Sequence, residues 1–121
     1  MLKIKGLSKA ETQAVQEVKN RLVRKYKDRL LLLMLYGSKA RGDSHKYSDI
    51  DLLAVVDEDS WGMREKFFEE TFEVMEKYDL RSLISTIVFD QKEYQFEKEI
   101  RTNFYENLER DGINLWKKEA K

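Results

Sequence analysis

Apolar residues recur at steps of three and four from Val15 through Val18 and Leu22 to Tyr26, the period of one buried helical stripe, which predicts a helix over residues 9–28. Ser8 followed by Glu11 has capping-box spacing at its start. The pattern then changes. Residues 30–36 (LLLLMLY) are apolar on both faces and too few for an independent helix, so they predict an interior strand covered on both sides. Gly37-Ser38 ends that strand, and the polar stretch 39–48 predicts a short helical turn plus loop. Residues 49–56 (DIDLLAVV) read as a second strand. After a polar break, residues 61–78 predict a helix with Phe68, Phe72 and Met75 inward. Residues 82–89 (SLISTIVF) read as a third strand. Asp90 and Glu93 again have capping spacing, ahead of one helix carrying Tyr94, Ile100, Phe104 and Leu108 and closed by Gly112. Residues 113–116 add a short edge strand. This order predicts an α+β fold, a mixed β-sheet with helices packed mainly on one face, in a single domain over residues 1–121.

Composition narrows the function classes. The 121 residues hold 23 basic and 23 acidic side chains, so there is no global pull toward nucleic acid or anionic lipid. Cysteine is absent, which excludes disulfides, thiolate metal sites and thiol nucleophiles and fits a cytoplasmic location. The strongly apolar run 30–36 falls far short of the roughly 20 residues a membrane span needs. MLKIKGLSK lacks the apolar stretch of a signal peptide. Charge is unevenly spread: residues 1–29 carry nine basic and three acidic side chains, and residues 57–79 the reverse. Two readings follow, helix faces attracting each other within the fold or a dipolar surface that steers a charged partner.

The informative constellation is Gly37-Ser38, ten residues, then Asp49-Ile50-Asp51. Residues two apart on a strand share a face, so Asp49 and Asp51 set two carboxylates side by side. Such a pair is costly unless a cation sits between, and Mg²⁺, which takes few protein oxygens and shares substrate phosphates, is its natural guest. Glycine at 37 lets a phosphate approach the backbone, and the Ser38 hydroxyl and free N–H groups can donate to it. Lys39 and Arg41 supply positive charge for a triphosphate. Together these parts describe a nucleoside-triphosphate–Mg²⁺ site. The bland alternative is a polar hairpin tip in which Asp49 caps a turn and Asp51 is solvated. His45, the only histidine, reads as an exposed loop residue.

GSKARGDSHKYSDIDLLAVV resembles the signature of the DNA polymerase beta-like nucleotidyltransferase superfamily, and its ten-residue spacer and the Ser before Asp49 resemble the minimal nucleotidyltransferase branch. The resemblance implies transfer of a nucleoside monophosphate, AMP from ATP, to an acceptor hydroxyl. It implies a two-metal Mg²⁺ site on Asp49 and Asp51 as catalytic residues, with Gly37, Ser38, Lys39, Arg41 and Ser48 binding the nucleotide. It also implies a partner: members of this branch are often encoded beside a HEPN-domain toxin, which they neutralise as antitoxins, in some cases by modifying its tyrosine. A homo-oligomer is compatible with this reading, and nucleic acid is not expected as a partner.

One departure bears on rate. The superfamily usually supplies a third carboxylate from the strand after Asp-X-Asp, and residues 82–89 contain no acid, with Asp79 and Asp90 lying outside them. Slow catalysis, a group borrowed from the partner, and nucleotide binding without turnover all stay open. So does a non-catalytic module that neutralises a partner by contact. An antibiotic nucleotidyltransferase is disfavoured, because no residues remain for the extra substrate domain such enzymes carry.

Overall fold

In the computed structural model, which describes residues 3–43, 45 and 48–119, the capping box at Ser8 is formed. The Glu11 N–H donates to the Ser8 hydroxyl at 3.1 Å, and the Ser8 N–H donates to the Glu11 carboxylate at 2.9 Å. Helix α1 (Lys9–Tyr26) follows, then β1 (Leu30–Tyr36), α2 (Ser38–Arg41), β2 (Ile50–Val56), α3 (Ser60–Lys77), β3 (Ile84–Asp90), α4 (Gln91–Glu99), α5 (Asn103–Asp111) and β4 (Ile113–Lys117). No helix among the described residues is long and apolar enough to cross a membrane.

The strands form one mixed sheet in the order β3-β2-β1-β4. β1 runs antiparallel to β2 and β4, and β2 runs parallel to β3. The two most apolar strands take the two central places because both of their faces are covered. Leu33 and Leu35 of β1 and Ile50, Leu52, Ala54 and Val56 of β2 meet α1 and α3 through Val15, Val18, Leu22, Met63, Phe67 and Val74. On the opposite face Met34, Leu53 and Val55 meet Leu108, with Tyr94 and Phe104 packed alongside. The long helices thus share one face, and the short pair α4–α5 covers part of the other.

Two details of the sequence reading are corrected. Helix α3 turns Met63, Phe67 and Val74 inward, whereas Phe68 and Phe72 are 59% and 47% exposed. The register is set by contact with α1, where Phe67 packs on Tyr26 with ring centroids 5.3 Å apart and Glu70 pairs with Arg21 and Lys25. The helix expected after Asp90 is two helices. Thr102 caps the second, its hydroxyl accepting the Tyr105 N–H at 3.1 Å, while Arg101 takes a left-handed φ of 49°. The break aims Phe104 and Leu108 at the sheet and leaves Ile100 exposed.

These placements make a prediction. Phe67→Ala should cost about 3–5 kcal/mol, the range for emptying a buried phenyl site. Phe68→Ser and Phe72→Ser should each fall within about 0.5 kcal/mol of the parent. Urea denaturation measures all three, and a larger loss at Phe68 than at Phe67 would show that α3 is rotated from this register.

Part of the uneven charge is paired inside the fold. Arg21 reaches Glu73 at 2.9 Å and Lys25 pairs with Glu70, basic α1 to acidic α3, while Lys77 returns to Glu17 at 2.8 Å with the opposite sense and Arg29 reaches Asp57, ahead of α3, at 3.1 Å.

Candidate active site

The site forms where β1 ends and β2 begins. The antiparallel register sets Tyr36 opposite Asp51, and directly opposed residues project to the same face. The next residue, Gly37, has φ 76° and ψ −158°, a backbone conformation open essentially to glycine alone. A Cβ there would stand 2.6 Å from Asp51 Oδ2. Glycine is therefore required twice, for its dihedrals and for the approach of the Asp51 carboxylate to the turn. Helix α2 starts at Ser38, and Gly42 closes it in the left-handed conformation with its N–H on the Ser38 carbonyl at 2.9 Å. The N–H groups of a helix's first turn have no acceptor within that helix, so Ser38 and Lys39 present theirs at the turn beside Asp51.

The electrostatics favour a cation. Asp51 is half-buried, and loss of water first, then the neighbouring charge of Asp49, push its pKa above the ordinary aspartate value. Burial first, and then the Asp51 charge, push the Tyr36 phenol up to about 12. No neighbouring basic side chain offsets the Asp51 shift. Against the bland alternative, Asp51 is half-buried and not fully solvated, while Asp49 is exposed. A half-buried carboxylate that no neighbouring basic side chain offsets, with a second carboxylate near it and a phosphate-permissive turn beside it, fits a hard divalent cation that keeps waters and shares phosphate oxygens. The two do not make a three-carboxylate cage, since no cluster of three or more metal-ligating side chains occurs among the described residues.

The third-carboxylate question now has a structural answer. Asp51 lies beside Ser85 in the parallel β2–β3 register, and Asp90 lies beside Val56 at the far end of the strand. Asp90 is occupied in capping α4, where it accepts the Glu93 N–H at 2.8 Å. Asp79 is exposed before β3 begins.

Other predicted residues divide. Gly37 and Asp51 come together, and Asp49 stands near enough for its charge to act on Asp51, although Asp49 is exposed and precedes β2 instead of forming its first residue. Arg41 is exposed at the end of α2, its guanidinium 3.1 Å from Asp43. The Ser48 hydroxyl accepts the His45 N–H at 2.7 Å and tightens the spacer, of which residues 44, 46 and 47 lie outside the described residues. His45 is exposed. Lys39 is a correction: its side chain is buried and its ammonium meets Glu11 at 3.1 and 3.2 Å. The sequence reading missed Tyr36 as a wall of the site, although counting back across the β1–β2 hairpin from Asp51 would have found it. It also read Glu11 as a cap alone.

The Asp51 shift has a sign that can be checked. A carboxyl whose folded pKa is raised binds its proton more tightly folded than unfolded, so its contribution to stability falls as pH rises from the unfolded value near 3.8 through the folded one. With metal chelated, the stability advantage of Asp51→Asn over the parent should widen across that window and then stay constant. Glu11, Glu17 and Glu106 are shifted down and act in the opposite direction in both proteins, so they cancel in the difference. Paired denaturation curves against pH measure it, and a gap that narrows with rising pH would contradict the assignment.

Comparison with known proteins agrees with this geometry. The nucleotidyltransferase domain family matches residues 15–115. The chain is 32% identical over 106 residues to "Putative protein adenylyltransferase MJ0604" of Methanocaldococcus jannaschii, covering 88% of this chain and 98% of the relative. It is 31% identical over 104 residues to "Putative protein adenylyltransferase MJ0141" of the same organism, covering 85% and 96%. Among solved structures, one described as a toxin-antitoxin with AMP-PNP aligns with a TM-score of 0.50 and 20% identity, over 84% of this chain and 73% of the other. That likeness is one of fold.

Proposed function

We propose, from the premise that this chain belongs to the nucleotidyltransferase domain family, that it transfers AMP from Mg²⁺-bound ATP to a hydroxyl of a protein partner, a tyrosine of a HEPN-type toxin. The observation that carries this reading is the packing of the Gly37 turn against the Asp51 carboxylate, which supports a phosphate cradle and a cation site within one ligand's reach. The family generally uses divalent metals. Here Asp49 and Asp51 would hold the ion, which when bound supplies charge stabilisation to the phosphoryl group and acidity to its bound oxygens. Gly37 lets the triphosphate lie against the backbone, and Ser38 donates to it. Arg41, exposed and paired with a nearby surface Asp43, can exchange that partner for the leaving pyrophosphate. The acceptor oxygen bonds to the α-phosphorus, the bond to the β-phosphate breaks, and the acceptor proton passes to water. The names of the two Methanocaldococcus relatives support ATP and a protein acceptor, and the fold-level neighbour supports a toxin partner.

Ser85 beside Asp51 favours a second reading, a module that binds nucleotide and neutralises its partner by contact without transfer. One experiment separates the two. The protein is mixed with Mg-ATP and the product of the neighbouring gene, and the partner is weighed intact. Gain of AMP mass with the parent and none with Asp49→Asn supports transfer. An unmodified partner in a stable complex supports the contact module.

A further inference from the structure

As folded, Lys39 does not face the Gly37–Ser38 turn. It is 3% exposed, and its Nζ lies 3.2 Å from Glu11 Oε1, 3.1 Å from Oε2 and 3.5 Å from the His45 carbonyl oxygen. Glu11 is saturated in turn: Oε1 also accepts the Ser8 N–H at 2.9 Å, and Oε2 accepts the Ser82 hydroxyl at 2.9 Å. One buried carboxylate thus gathers the start of α1, the first turn of α2 and the residue pair ahead of β3. The backbone is clamped from outside as well. A Cβ on Gly6 would stand 1.8 Å from the Lys39 carbonyl oxygen, so the N-terminal segment lies directly on α2.

Burial alone would raise the Glu11 pKa, but the Ser8 amide, Lys39 and Ser82 together hold it below the ordinary glutamate value. A buried pair of this kind is weak evidence for stability, since two desolvated charges cost what their attraction returns. Its value lies in geometry. Lys39 follows Ser38 directly, and its ammonium also makes a long contact, 3.5 Å, with the His45 carbonyl. The residue after Ser38 and one residue of the segment ahead of Asp49 thus meet at one ammonium.

We infer that Lys39 and Glu11 are positioning residues for the nucleotide, holding Ser38 and the spacer so that the phosphate turn and the Asp49–Asp51 pair face each other before ligand arrives. The inference rests on the reading of this site as one for Mg-ATP. It differs from direct phosphate contact by Lys39 in the sign of one result. If Lys39 touched phosphate, Glu11→Gln would leave Mg-ATP affinity unchanged or tighten it, by freeing the ammonium. If the pair positions the turn, Glu11→Gln and Lys39→Met should each weaken Mg-ATP binding about tenfold. The double variant should be no weaker than the worse single one, because both changes break the same tie. Lys39→Arg, which can keep the pair, should retain most of the affinity.

Lys39→Met leaves a bare buried carboxylate, so the double variant guards against simple unfolding. A second measurement needs no nucleotide. Amide hydrogen exchange in residues 38–43 and 48–51 should quicken several-fold in Glu11→Gln, while the interior of β1 stays protected. Unchanged exchange there, or unchanged or tighter Mg-ATP binding by Glu11→Gln, overturns the inference. If exchange responds as stated and the parent protein binds no Mg-ATP, the nucleotide reading fails and the tie stands.

Discussion

Asp51→Asn should lower nucleotidyl transfer by about 10³-fold or more while making the metal-free protein more stable at neutral pH. The loss follows from removing one of the two carboxylates proposed to hold the cation, a change equivalent to about 4 kcal/mol of transition-state stabilisation. The gain has a separate cause. Asp51 is half-buried near Asp49 and no neighbouring basic side chain offsets its shift, so its charge opposes folding when no cation is present. Neutral Asn keeps the shape and removes that opposition. Adding Mg²⁺ should raise the melting temperature of the parent and leave that of the variant in place. Steady-state transfer assays and thermal melts with and without Mg²⁺ check both halves. A variant that is inactive and also less stable would mean that Asp51 serves the fold, not the ligand.

Gly37→Ala should be nearly as damaging to activity, for reasons of backbone and space. Alanine at φ 76°, ψ −158° carries strain of about 1–3 kcal/mol. Its methyl group would also sit 2.6 Å from Asp51 Oδ2, so the carboxylate must move or the turn must open. Either movement separates the phosphate turn from the cation site, and a misplacement near 1 Å can cost about 10²-fold in rate. Gly42 provides the control. Its φ is 83°, but nothing stands within 4 Å of a Cβ built there. Gly42→Asn, a residue that tolerates the left-handed region, should keep transfer within a few-fold of the parent. Equal damage from both substitutions would show that general loosening of α2, and not the approach to Asp51, explains the effect.

How much was legible beforehand differs from residue to residue. β1 and β2 were readable because central strands covered on both faces leave unbroken apolar runs, and the Gly-Ser turn and Asp-X-Asp pair sit at their ends. β3 was placed two residues early, since Ser82 and Leu83 look like strand residues but precede its first pairing at Ile84. Helix α3 was partly misread: Met75 packs on the core as expected, but Phe67 is buried where Phe68 and Phe72 were expected. Three phenylalanines offered two apolar stripes, and the one that is buried includes a glutamate, Glu70, whose ion pairs with α1 are invisible to a hydrophobicity pattern. The break between α4 and α5 rests on Thr102 acting as a cap inside an otherwise helical pattern. Lys39 was assigned by proximity in sequence to the phosphate turn. Its true partner, Glu11, lies 28 residues away, and only tertiary structure brings them together. Composition could not reveal that of two cations two residues apart, one is buried in an ion pair and the other is at the surface.

Calorimetric titration with ATP in the presence and absence of Mg²⁺, on the parent and on the Asp49→Asn/Asp51→Asn double variant, tests the central claim most directly. That claim is that the Gly37–Ser38 turn and the two aspartates form one Mg-ATP site. The result predicted is saturable binding of one ATP that requires the divalent cation and disappears in the double variant. Binding of equal strength by the double variant, or by the parent under chelation, would contradict it.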